Sequence, residues 1–147
     1  MLSPFIDTSF LIALVSKRDN CHEEAKSIYE HLEQMRSVLP YTSKFVMIEF
    51  LGFFSKCGPK WRKVASSAVR SLLGNSGIRV VNFDDSVFDA ALELYEKRVD
   101  KRFSLVDCHI ICTVQKFNLA GVISFDSDFE QEGVFLINAS SKLDNFF

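Results

Sequence analysis

Short apolar runs alternate with longer amphipathic stretches along this chain. Residues 4–6 read as a first buried strand and residues 8–16 as the helix that follows it. Asp19 or Asn20 can cap a second helix reaching about Arg36, in which Ala25, Ile28, Tyr29 and Leu32 recur at i, i+3, i+4 and i+7. Val38 to Thr42 reads as a second strand. A helix capped by Thr42 or Ser43 then runs to about Lys56 and is apolar nearly all round, which predicts burial on most sides. Gly58-Pro59 breaks the pattern, a helix covers about Lys60 to Leu73, and the Gly74 to Gly77 loop ends it. Ile78 to Phe83 predicts a third strand. A helix capped at Asp84, Asp85 or Ser86 follows, with a stripe of Val87, Ala90, Ala91 and Leu94. Another helix starts at Ser104 and ends near Asn118. Gly121 to Phe125 and Val134 to Ile137 read as strands four and five, and the Ser140 to Phe147 tail carries no pattern.

Strands alternating with helices, without internal repeats, predict a parallel sheet with helices on both faces. Ligands of such folds sit at the C-terminal ends of the strands. The 147 residues favour one domain over the whole chain, and 48% hydrophobic content with 15 phenylalanines is ample for its core. No apolar run approaches the roughly 20 residues that a membrane span needs, and no targeting segment is read at the N-terminus. Cys21, Cys57, Cys108 and Cys112 form no CxxC pair, which fits a reducing, cytoplasmic setting. Cys108, His109 and Cys112 are spaced for a zinc site, but their apolar neighbours give the plainer reading of small buried side chains. A net charge of −2 argues against a surface that grips nucleic acid everywhere, without excluding a local basic patch.

The candidate chemistry is carboxylate chemistry. Asp7 and Asp126 fall at strand ends, and Asp128 follows two residues later. Ser104-Leu-Val-Asp107 has the form of a capping box, so Asp107 lies in a first helical turn facing the same sheet edge. Glu49 stands in the apolar helix and, with Gly52 and Lys56, forms its one stripe lacking a large apolar side chain. Each acid has a plainer reading: a cap or dipole partner for Asp107, a turn or helix start for Asp7 and Asp126, a buried Lys or Arg partner for Glu49. Together, four carboxylates at one edge would repel one another without a cation. Oxygen-only ligands point to Mg²⁺ or Mn²⁺.

FIDTSFL at 5–11, the acid within FVMIEFLG at 45–52, FSLVDCHIICTVQKFN at 103–118 and GVISFDSDFEQEGVFLI at 121–137 together resemble the PIN domain family, in particular VapC-type toxins of toxin–antitoxin pairs. The resemblance implies a three-layer α/β/α sandwich around a five-stranded, mostly parallel sheet, similar to the 5′ nucleases. It implies an acidic quartet at Asp7, Glu49, Asp107 and Asp126, holding Mg²⁺ or Mn²⁺ and catalysing RNA hydrolysis. Thr8, Ser104, Ser124 and Asp128 match supporting positions. It further implies an RNA substrate, a small antitoxin partner laid along the helix of residues 20–36 and the buried helix after it, and a homodimer. Lys56, Lys60, Arg62 and Lys63 form one cation cluster. Lys97, Arg98, Lys101 and Arg102 form a second, which leads into the Ser104–Asp107 turn and is the preferred RNA contact. The alternatives are a catalytically inactive PIN-like binding module, a non-toxin PIN nuclease in RNA processing, and a phosphatase with an aspartyl nucleophile. The last expects an acid where Ser9 stands.

Overall fold

The computed structural model describes residues 3–138 and 141; the rest of the patternless tail lies outside the described residues. Its elements are β1 (Phe5–Ile6), α1 (Thr8–Val15), α2 (His22–Gln34), β2 (Tyr41–Ser43), α3 (Lys44–Phe54), α4 (Pro59–Gly74), β3 (Arg79–Val81), α5 (Asp85–Lys97), α6 (Leu105–Lys116), β4 (Val122–Ile123), a 3₁₀ segment (Ser127–Glu132) and β5 (Leu136–Ile137). The five strands form one sheet in the order β3-β2-β1-β4-β5, and every pairing is parallel. From β1 the chain steps outward to β2 and β3, then crosses back through α5 and α6 to β4 and β5. Right-handed crossovers therefore put α1 to α4 on one face of the sheet and α5 and α6 on the other, giving three layers. The direction of winding reverses between β1 and β4. That reversal opens a crevice at their carboxyl ends.

The central strands are buried on both faces, which is why they read as continuous apolar runs. Phe5, Ile6, Val122 and Ile123 form the middle of the core with Phe10, Phe50, Ile110, Ile111, Phe129 and Ile137. The ladders are shorter than the apolar runs. Pro40 has no N–H to donate, so β2 begins at Tyr41, whose N–H donates to Pro4 O at 2.8 Å. Asn82 and Phe83 are exposed past the end of β3. Asp19 does not cap α2; it turns the chain by accepting from Cys21 N–H at 2.8 Å, and the helix starts at His22.

The largest departure concerns α3. The Ser43 hydroxyl caps it as expected, accepting from Val46 N–H at 3.3 Å. It is not buried on most sides, however: Ile48 is 59% and Phe53 52% exposed, and Leu51 and Gly52 are also open. Val46, Met47, Phe50 and Phe54 alone satisfy the core. The outward half of α3 is apolar for some other reason.

Gly121 marks the closest backbone approach, where β4 begins beside β5. A Cβ there would collide with the Phe135 carbonyl oxygen and lie 3.0 Å from its carbonyl carbon. Gly121→Ala is expected to destabilise the fold by about 2–3 kcal/mol, read as a lower denaturant midpoint at unchanged m-value. A midpoint equal to that of the wild type would mean that β4 and β5 are not held this closely.

Candidate active site

Asp7, Glu49 and Asp107 come from three elements and meet at the crevice. Asp7 directly follows β1 and is 4% exposed. It occupies the N-cap position of α1 without making a regular capping bond. Its Oδ2 instead accepts from the hydroxyls of Ser9 at 2.9 Å and Ser124 at 2.7 Å. Each hydroxyl in turn accepts a backbone N–H: Phe125 N–H to Ser9 at 3.1 Å and Asp126 N–H to Ser124 at 3.0 Å. The turns after β1 and β4 are thus tied through one carboxylate oxygen, and neither hydroxyl takes Oδ1. Burial raises the Asp7 pKa, and the two hydroxyl bonds oppose the rise.

Asp107 arrives through the predicted capping box. Ser104 N–H donates to Asp107 Oδ2 at 2.8 Å, and Asp107 N–H donates to Ser104 Oγ at 3.1 Å. Such a cap is worth about 1 kcal/mol and aims the carboxylate by its own helix start. Burial pushes the Asp107 carboxyl up to about 6, and the charges of Asp7 and Glu49 push the same way. Glu49, half-buried on α3, is raised by burial and by the charge of Asp7. The buried Thr8 hydroxyl lies beside it without a hydrogen bond of normal geometry. No lysine or arginine is among the groups acting on these three acids. Among the described residues, the cationic partner considered for Glu49 is not found.

Asp126 stands at the rim. It joins the network through its N–H, while its Oδ1 accepts from Asp128 N–H at 2.9 Å and caps the 3₁₀ segment. Asp128 Oδ1 accepts from Gln131 at 3.2 Å. Neither acid is among the charges that act on Asp107. The residue that sequence reasoning missed is Ser9, noticed there only as the place where an acid was lacking. A hydroxyl two residues past a strand-end acid was the available signal.

The donors suit a hard cation. Buried carboxylates of which Asp7 and Glu49 raise the pKa of Asp107, without a compensating side-chain cation among the described residues, are the kind of group that a divalent ion with oxygen ligands stabilises. They do not form a closed cage: among the described residues, no three His, Cys, Asp or Glu side chains converge tightly enough to hold an ion. An ion held by all three would have to draw them closer together.

Most of the preferred cations are already engaged. Lys97 pairs with Glu93 at 3.8 Å, Lys101 with Asp100 at 3.5 Å, and Arg98 with Glu132, whose side chain is only 9% exposed. Arg102 is exposed. All four cysteines are free thiols. No helix among the described residues is long and apolar enough to cross a membrane.

Comparison with known proteins agrees with this architecture. The chain resembles the solved structure of Mycobacterium tuberculosis VapC20, described as a toxin cleaving the Sarcin-Ricin loop, with a TM-score of 0.81 and 23% identity over 92% of this chain and 99% of that one. A toxin–antitoxin complex from Klebsiella pneumoniae aligns at 22% identity and a TM-score of 0.57, covering 86% of this chain and 90% of that chain. FitAcB from Neisseria gonorrhoeae aligns at 19% identity and 0.63, covering 93% and 98%. At these identities the likeness shows the fold. No curated protein matches the sequence significantly. The PIN domain model matches residues 5–133, nearly the full described length, and the chain belongs to the PIN domain family.

Proposed function

We propose that this chain is a single-domain, divalent-metal-dependent endoribonuclease, the toxin of a cytoplasmic toxin–antitoxin pair. One observation carries the reading: at the β1/β4 crevice burial raises the pKa of Asp7, Glu49 and Asp107, the charge of Asp7 raises that of Glu49 and both raise that of Asp107, with no side-chain cation among the described residues acting on them. The solved structures of a Sarcin-Ricin loop cleaving toxin and of a toxin–antitoxin complex support the RNA substrate and the partner.

Asp7 and Asp107 would hold Mg²⁺ or Mn²⁺ directly, with Glu49 acting through a water or orienting the nucleophile, and Asp126 and Asp128 standing at the rim. When bound, such an ion supplies an acidified water and a counter-charge for the attacked phosphate. Ser9 and Ser124 hold Asp7 in one orientation, and Ser104 does the same for Asp107. Burial keeps bulk water from weakening these contacts.

Two adjoining hollows support the antitoxin. One of about 440 Å³ is lined by Tyr29 and Leu32 of α2 with Met35, Val38 and Ile78. The other, about 170 Å³, shares Tyr29 and Ile78 and continues along Leu14, Phe50 and Leu72. An apolar segment laid there would run between α2 and α4, with α3 contributing only Phe50. For the homodimer, the support is the exposed stripe of Phe88, Leu92 and Tyr95 on α5. A binding-only module is favoured by one observation, the lack of a ready ligand cage among the described residues.

Cleavage separates these readings. Asp7→Asn and Asp107→Asn are expected to lose at least about 100-fold of Mn²⁺-dependent RNA cleavage while keeping wild-type circular dichroism, since even outer-shell changes cost 10–100-fold. A folded variant that cuts RNA as the wild type does would remove the quartet from catalysis.

Stability gives a second test that needs no substrate. Between the ordinary carboxylate range and about 6, folded Asp107 keeps a proton that the unfolded chain releases, so its contribution falls as pH rises through that window. Above it, in chelator, Asp107→Asn is expected to melt higher than wild type, and the gap should close as pH falls below the window. His109, which burial lowers to about 4, titrates in both proteins and cancels in the difference. Saturating Mn²⁺ above the window should reverse the order, since an ion at about 100 times its Kd adds about 2.7 kcal/mol to wild type, roughly 8 °C. A wild type that melts above the variant in chelator would contradict the raised Asp107 pKa; no rise with metal would favour the binding module.

A further inference from the structure

The chain hides a strongly basic segment behind its acidic average. From residue 50 to residue 83 there is no carboxylate, while Lys56, Lys60, Arg62, Lys63, Arg70 and Arg79 supply six cations. The segment covers the end of α3, all of α4 and β3. Arg79 lies over the Tyr41 ring, and Arg62 donates to Ser55 O at 3.2 Å, which anchors it at the end of α3. None of the six has an ion-pair partner among the described residues. The first turn of α4 has no acid either, so its cations oppose the helix dipole and contribute nothing to that helix. The second cluster differs, because three of its four cations are paired.

Between α3 and α4 lies a hollow of about 460 Å³ walled by Leu51, Arg62, Lys63, Ala65 and Ser66. Its α3 wall, Leu51, belongs to the outward half of the helix that also carries Glu49. Going round that helix from Glu49, Gly52 stands at about 60°, Ile48 at about 100°, Ser55 at about 120° and Leu51 at about 160°, all in the same direction. All four are exposed, and a Cβ at Gly52 would meet nothing within 4 Å. Gly52 is the low point of the crossing.

We propose that single-stranded RNA crosses α3 over Gly52, its backbone running from the acids into the α3–α4 hollow and held there by Lys60, Arg62 and Lys63. Charge complementarity selects a polyanion for this surface. The exposed apolar side chains beside it, Ile48 and Phe53, give the bases something to lie against. The proposal rests on the nuclease reading only for the end of the path at the acids.

The test is anisotropy of a short, unstructured, fluorescein-labelled RNA in chelator, across a salt series. Lys60→Ala/Arg62→Ala/Lys63→Ala should weaken binding more than about 10-fold and flatten the slope of log K against log salt by about 2, at ~0.7 per phosphate contact. Lys97→Ala/Lys101→Ala should stay within about two-fold, because those cations sit in exposed pairs of little energetic weight. Gly52→Glu, with open space around it, should melt no lower than wild type and still bind RNA poorly. The proposal fails if the triple variant keeps wild-type affinity and slope, if the wild type binds no RNA, or if these variants alter only the oligomeric state in sedimentation. Binding in chelator requires no cleavage. A wild type that binds through α4 but never cuts RNA with Mn²⁺ or Mg²⁺ would remove the nuclease and leave this surface standing; cleavage unaffected by the triple variant would do the reverse.

Discussion

The junction at Asp7 Oδ2 is where fold and site depend on the same bonds. Two strands adjacent in the sheet but far apart in sequence, β1 and β4, must be joined beyond the last residues that can pair. Ser9 and Ser124 do this by each taking a backbone N–H and each giving a hydroxyl proton to one buried oxygen. A buried carboxylate is costly to leave unsatisfied, so the two hydroxyls offset part of that cost and fix the side chain's orientation at once. Asp107 is arranged on the same logic, since its capping bonds start α6 and aim its carboxylate. Two of the acids that would act on a ligand, Asp7 and Asp107, also end a strand or begin a helix.

That coincidence explains why the candidate site was legible in the sequence. A strand-end acid, a capping box and an acid in an apolar helix each break a local hydrophobic pattern, and breaks in a pattern are visible without coordinates. Ser9 was not visible in the same way, because a serine near a helix start has several ordinary uses. Strand lengths were overestimated because apolar runs report burial, whereas ladders depend on available N–H groups, as Pro40 shows. The outward face of α3 was misread for a related reason. Hydrophobicity on all sides of a helix says that every side avoids water in some state, and Ile48 and Phe53 do not do so within one isolated chain.

Ionic pairing was the part that sequence could least supply. Both cation clusters look alike as strings of Lys and Arg, and the second seemed better placed because it leads into Asp107. Arg98 meets Glu132, from the far side of the 3₁₀ segment, only because α5, α6 and that segment come together in the fold. No spacing rule connects residues 98 and 132. The first cluster, by contrast, lacks carboxylates over a stretch long enough to contain a whole helix, and among the described residues folding brings it none.

The acidic and basic regions then become parts of one electrostatic arrangement. A net charge of −2 suggests a protein indifferent to polyanions, but the average conceals a segregation. Acids converge at the carboxyl ends of the central strands, where burial raises their pKa values and the charges of Asp7 and Glu49 raise that of Asp107 further, and cations gather on the α4 side. Neither region is relieved by the described residues. A divalent ion would relieve the first and a phosphodiester backbone the second, and a strand held on α4 delivers negative charge to the acids only where the ion is there to receive it. Without the ion, those same acids repel the approaching backbone. On the proposed reading, RNA affinity near the crevice and metal occupancy would be coupled: each ligand would favour the other at the boundary between the two regions, which the exposed face of α3 spans.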